Sequence, residues 1–245
     1  MENRWILWKT ALAVSLLTLV PNIHAQSKGS VSTRVLAYFE QIGRAQRLED
    51  YLKHTRPKPV SLAVKGKAIA NLPPNAEVQP SEKGRAKLAA LATILEFHDR
   101  SGIIDLKVIG DKQYVFIGLY EQCALIITEK ALDLLSKEEL QAVVAHELAH
   151  ELFWDEYRLA REGNQDDKVQ EIELRCDGIA ICTLVRLGLN PKPLISAVQK
   201  TTPNSQDTWG THYYAPRNER LSFARRMINR AKQADLNILA SGKNR

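Results

Sequence analysis

The chain has 245 residues, 44% of them hydrophobic and 25% charged, the balance of one globular domain with a real core and too short for two large ones. Its formal net charge of +6 is spread along the sequence, without a dense Lys/Arg block or interleaved aromatics. This excludes the footprint of a nucleic-acid binder and leaves a solvated surface with a slight preference for acidic partners.

The first residues differ from the rest. Arg4 and Lys9 flank the start, Thr10 to Val20 is apolar, Pro21 breaks the run, and Ile23-His24-Ala25 precedes Gln26. A positive start, a short apolar run and a small residue before the cut describe a secretory signal peptide, 1–25, cleaved after Ala25. The run is shorter than the roughly 20 residues of a spanning helix. The expectation is a periplasmic or secreted protein with no stable membrane span; an uncleaved anchor is the alternative. No Cys follows the cut, which argues against a lipoprotein. Cys123, Cys176 and Cys182 are odd in number, and the last two share a predicted helix at a spacing poor for a bridge, so they read as small buried apolar residues.

From Val31 to His54, Val35, Leu36, Phe39, Ile42, Leu48 and Leu52 recur at helical steps, and Arg56-Pro-Lys-Pro ends the helix. Residues 60–80 read as a loop with one short strand. Ser81 to Arg100 is a second amphipathic helix, closed at Ser101-Gly102. The runs 103–109, 114–119 and 123–128 are β-branched and aromatic, punctuated by Gly110-Asp111 and Glu121-Gln122, and predict a small sheet or meander. Helices return at Lys130. Ser136 with Glu139 is a capping box that starts a helix to about Arg161, broken at Gly163-Asn164. Further helices follow over Asp167 to Leu187, Pro193 to Lys200 and Pro216 to about Leu239. The fold class is α+β, mainly helical.

The helix after the capping box carries His146-Glu147-Leu148-Ala149-His150. Residues four apart share a helical face, so both imidazoles can reach one metal ion, with Glu147 beside them as a base for a metal-held water. Catalytic zinc takes three protein ligands. The downstream helix offers Glu171, Glu173 and Asp177, of which Glu173 and Asp177 share a face. Glu173 then reads as the third zinc ligand and Asp177 as the carboxylate that orients a ligand histidine. Glu171 lies about 200° from Glu173 around the helix and is expected to face solvent.

These residues carry a resemblance. His146-Glu-Leu-Ala-His150 followed by Glu173-Leu-Arg-Cys-Asp177 is similar to the HExxH and ExxxD motifs of the HtpX-like and CAAX prenyl protease family of zinc metallopeptidases. Ala124 to Leu140 resembles that family's strand, turn and helix leading into the site, and Leu187-Gly-Leu-Asn-Pro191 its later turn. Thr211-His212 and Glu219-Arg220-Leu221 resemble its final motif segments. The likeness covers roughly 102–227 and points to the soluble exported bacterial branch. Three positions depart from the pattern: Cys176 stands for Ala, Tyr213 for Pro after His212, and Tyr114-Val-Phe116 for Asn-Ala-Phe.

The resemblance implies a zincin-like domain with a small sheet beside the HExxH helix, built from a helical part 26–101, a catalytic core 102–227 and a tail 228–245. It also implies a zinc endopeptidase holding one Zn2+ per chain, with polypeptide as substrate. Zinc lowers the pKa of its water toward about 7. Glu147 is the base that takes the water's proton and returns it to the leaving amine. By the same likeness His212 and Arg220 are candidate partners of the transition state, with Tyr213 and Tyr214 chemically able alternatives. His212 either donates to the developing oxyanion or caps the metal in a resting state. Substrate is expected as an extended chain along an edge strand, 114–119 being the candidate. The alternative function is a zinc-binding, chaperone-like or autoinhibited protein with little proteolysis; intact Glu147 argues against it.

Overall fold

The amphipathic run that begins at Val31 folds as two helices, α1 (Val31–Ala45) and α2 (Leu48–Thr55), because Arg47 between them is extended at φ −74 and ψ 157. The period continues across the break since both helices turn onto one cluster, where the Tyr38 and Tyr51 hydroxyls hydrogen-bond. The computed structural model describes residues 30–45, 47–72, 76–202 and 215–241. The predicted signal peptide, His212, Tyr213 and Tyr214 lie outside the described residues.

The expected loop over 60–80 holds a helix, α3 (Leu62–Ala70), capped where the Ser61 side chain accepts from the Val64 N–H. Its Ala-rich sequence favours helix, while Gly66 and the prolines nearby hide the period. Ala68 and Ile69 pack against the sheet. The second predicted helix also divides, into α4 (Glu82–Ala89) and α5 (Ala92–Phe97). The tight turn between them leaves the Ala90 carbonyl to accept from Gln141 Nε2 at 2.7 Å.

Three strands, β1 (Asp105–Ile109), β2 (Ile117–Tyr120) and β3 (Ala124–Thr128), form one sheet in the order β1-β3-β2. β3, buried throughout, is central; it runs parallel to β1 and antiparallel to β2. The arrangement is therefore not a meander. Glu121 and Gln122 turn the β2–β3 hairpin with φ of 46 and 54, the conformation a tight hairpin requires.

α6 (Glu129–Leu134) leads to α7 (Lys137–Ala149), which begins at the predicted capping box. A 3-10 turn (His150–Phe153) then joins α8 (Trp154–Glu162). α9 (Asp166–Arg186) is buried on nearly every face, packed by α1, α7, α8 and α11, as a central helix must be. α10 (Pro193–Thr201) and α11 (Arg217–Ser241) complete the described chain, mainly helical with one small sheet. No described helix is long and apolar enough to cross a membrane.

Candidate metal centre

α7 earns its position through Leu140, Val144 and Leu148, all buried at four-residue steps in the main core. Its N-terminus is fixed by Ser136 Oγ, which accepts from the Glu139 N–H at 3.1 Å, while Glu139 Oε2 accepts from the Ser136 N–H at 2.8 Å. His146, one turn before the C-terminus, and His150, just after it, are both buried. The helix does not continue to Arg161 as its pattern predicts. It tightens at His150, where Glu151 is drawn inward onto Arg100: Nε of Arg100 donates to both carboxylate oxygens, at 2.9 and 2.7 Å. Arg100 Nη2 also donates to the Pro57 carbonyl at 2.8 Å, and Nη1 to the Asp99 carbonyl at 3.1 Å.

α9 delivers the carboxylates. His146 Nε2 and His150 Nε2 face each other at 3.3 Å. Glu173 faces both, with Oε2 at 3.4 Å from His146 Nε2 and Oε1 at 3.6 Å from His150 Nε2. Ligand atoms of His146, Glu147 and His150 lie within 4.8 Å of one another, and this group could hold a metal ion. The two carboxylates differ in what they already bind. Glu147 Oε2 accepts from the Leu119 N–H of β2 at 3.3 Å, whereas Glu173 Oε2 is buried without a hydrogen-bond partner. His150 Nδ1 is likewise buried and unpartnered.

Tetrahedral donors about 2.0–2.1 Å from a common zinc lie about 3.3 Å apart. The two imidazole nitrogens match that spacing at 3.3 Å, Glu173 turns one oxygen toward each of them, and its Oε2, buried without a hydrogen-bond partner, is the kind of atom a cation would satisfy. The two imidazoles and the carboxylates beside them fit a metal ion.

Behind His146 a chain of hydrogen bonds fixes its ring. Nδ1–H donates to Asp177 Oδ1 at 2.8 Å, and Arg220 donates to Asp177 through Nε at 2.9 Å and Nη2 at 2.6 Å. Arg220 thus reaches the centre through Asp177. His150 is packed differently, with the Tyr157 ring against its own at 5.0 Å and 68°. Gly178, next to Asp177, admits the Phe39 ring of α1: a Cβ there would sit 2.1 Å from Phe39 Cε2. That contact sets how closely α1 lies on the helix that carries Glu173 and Asp177.

Electrostatics follow from burial and neighbours. Burial opposes charge on His146, but Asp177 and Glu173 outweigh it and push its pKa up to about 10. Burial takes His150 down to about 4. Burial also raises Glu147, to about 7, against the pull of His146. Asp177 is raised by burial yet held well below the usual carboxylate range by Arg220 and His146. Glu173 is lowered too, burial being outweighed by both histidines.

The structure brings His146, Glu147, His150, Glu173, Asp177 and Arg220 together; His212 and Tyr213 are not among the described residues. Glu171 does not face open solvent as expected. It is half-buried on the far side of α9, ion-paired with Arg175, with Arg34 at 3.4 Å and with Lys168 at 3.6 Å. Arg100, Tyr157 and the Leu119 amide were not foreseen as neighbours of the site. An acid directly after the motif, Glu151, is the one sequence signal that a buried cation must lie nearby. The cysteines are unbridged, with Cys123 and Cys176 buried. No family model matches the chain, and no curated protein matches it either.

Proposed function

We propose that this chain is a zinc-dependent endopeptidase acting on exported or envelope polypeptides. The observation that carries the reading is the meeting of His146, His150 and the buried Glu173, with a half-buried carboxylate, Glu147, held beside them by the Leu119 amide of β2. Two imidazoles and one carboxylate are a donor set of catalytic zinc. Bound there, zinc supplies a Lewis acid and a water of lowered pKa. Glu147, whose carboxylate lies beside both imidazoles, is placed to take a proton from a metal-held water and return it to a leaving amine. Asp177 fixes which nitrogen of His146 faces the donors, and Arg220 holds Asp177 ionised. An extended polypeptide is proposed to add to β2, the sheet edge whose Leu119 amide already reaches Glu147. Residues 1–25 are proposed to act as a secretory signal that would carry this activity to the periplasm or outside the cell.

The test compares wild type with Glu147→Gln on an unfolded polypeptide, with metal content measured in parallel. Glu147→Gln should keep zinc and lose cleavage; equal, slow degradation by both would remove the peptidase reading. Glu173→Gln should lose zinc while Glu171→Gln keeps it, and the reverse would move the third ligand.

A further inference from the structure

Among the described residues, the sheet has one closed side and one open side. Beyond β1, Glu77 bridges Ile109, the Val78 N–H donates to the Val108 carbonyl at 2.9 Å, and the Gly110 N–H donates to the Ala76 carbonyl at 2.9 Å. Beyond β2 no described strand pairs. The parity of β2 is set by the Thr128 N–H, which donates to the Phe116 carbonyl at 3.0 Å. Residues 116, 118 and 120 therefore turn their backbone groups toward β3, and Ile117 and Leu119 turn theirs outward. The outward Leu119 N–H ends at Glu147, so this open edge runs directly to the centre.

Side chains alternate between the two faces of the strand. Val115, Ile117 and Leu119 pack against the main core, which leaves Tyr114, Phe116, Gly118 and Tyr120 on the opposite face. Tyr114 and Phe116 are 65% and 51% exposed. The Phe116 ring does not stand away from the sheet. It lies along it over Gly118, where a Cβ would be 2.6 Å from the ring's Cζ. An apolar ring is thus spread flat beside a backbone edge that no described strand pairs, and the glycine beneath it admits that pose.

A repeating backbone of donors and acceptors is what an open strand edge recognises, and an extended polypeptide supplies it. In an added strand, residues opposite Phe116 and Gly118 project on the same face as that ring and touch it. We propose that Tyr114, Phe116 and Gly118 form a selectivity subsite, which takes a large aliphatic or aromatic side chain at alternate positions of a polypeptide strand added to β2. The subsite rests on the peptidase reading only for the direction in which that strand leads. Its substrate class is unfolded chain with apolar residues spaced two apart, the pattern of a strand torn from a protein core.

The experiment measures binding, by fluorescence anisotropy, of two labelled peptides of equal length and charge to the full chain carrying Glu147→Gln. One peptide has Phe or Leu at alternate positions, the other Ser. The apolar peptide should bind roughly three- to tenfold tighter, the worth of one cross-strand aromatic contact. Phe116→Ser in the same background should abolish the difference, and Phe116→Leu should keep most of it. Equal binding of the two peptides, or a preference that survives Phe116→Ser, would overturn the subsite. Cleavage of the same peptides by the chain with Glu147 intact is scored separately. Preference in binding without cleavage keeps the subsite and removes the peptidase reading; cleavage without preference does the opposite.

Discussion

Two buried corners of this molecule are made from the same residue types and behave in opposite ways. At the candidate metal centre, Asp177 sits between His146 and Arg220 and touches both. At the second corner, Arg100 is paired with Glu151, and His98 reaches Thr183 Oγ1 at 3.1 Å instead of a carboxylate. The consequence is a pKa of about 10 for His146 and about 3 for His98. Burial lowers both histidines; Asp177 and Glu173 reverse the effect at His146, while Arg56 and Arg100 reinforce it at His98. The placement of the carboxylate, not the presence of an arginine, decides whether a buried imidazole is held ready for charge. The first corner fixes the ring of His146, and the second holds the turn that begins at His150.

The sharpest way to break this contrast is to remove one partner from each corner. Arg100→Met strands Glu151 in the core, where burial already raises its pKa even with the guanidinium present. The expected loss is about 3–5 kcal/mol of unfolding free energy, read by chemical denaturation. Arg100→Met with Glu151→Leu should recover most of it, and a single variant as stable as wild type would show the pair to be idle. Zinc affinity of the folded single variant should stay within about threefold of wild type.

Asp177→Asn should give the converse result. It keeps an oxygen near His146 but removes the charge that fixes the ring and answers Arg220. Zinc affinity should fall roughly 10–100-fold, measured by competition with a chelator in a protein that still melts cooperatively. Affinity unchanged within threefold would mean that packing alone orients His146. Losses of affinity at both corners would mean that they are not separable.

These two corners also mark where sequence reasoning stops. Glu173 and Asp177 are four residues apart on one helix, and the Ser136–Glu139 box is a local hydrogen-bond pattern, so both follow from spacing. The bounds of α9 and α10 follow likewise from Gly188, at φ 68, and from Pro193 at a helix start. The tightening at His150 has no local cause, since no Gly or Pro lies between Ala149 and Arg161. It comes from Arg100, which is 51 residues from Glu151 along the chain. Arg220 meets Asp177 across 43 residues, and the parallel pairing of β1 with β3, such as Asp105 with Ala124, also joins segments that are not neighbours in sequence. Helical period also overran real breaks, at Arg47 and at Ala90, because each pair of helices faces a shared core on either side of the break. Contacts made by folding account for these misses, whereas α3 was hidden locally by Gly66 and the prolines around it.

The smallest expected effect tests the second corner by pH. The folded-state pKa of His98, about 3, lies below its ordinary value of 6.5, so the fold favours the neutral ring. Its contribution to stability is therefore complete above pH 6.5 and is lost progressively as pH falls from 6.5 toward 3. Between pH 7 and 5.5 the unfolded chain gains most of a proton at this position and the folded chain gains almost none. The difference is about 1.3 kcal/mol of stability. His98→Gln can still reach Thr183 but does not titrate, so its stability should fall by about that much less over the same interval. Every other titrating group contributes equally to the two proteins and cancels in the comparison. Identical losses in wild type and His98→Gln would mean that protonated His98 is tolerated beside Arg56 and Arg100, and the contrast between the two histidines would then be one of hydrogen bonding, not of charge.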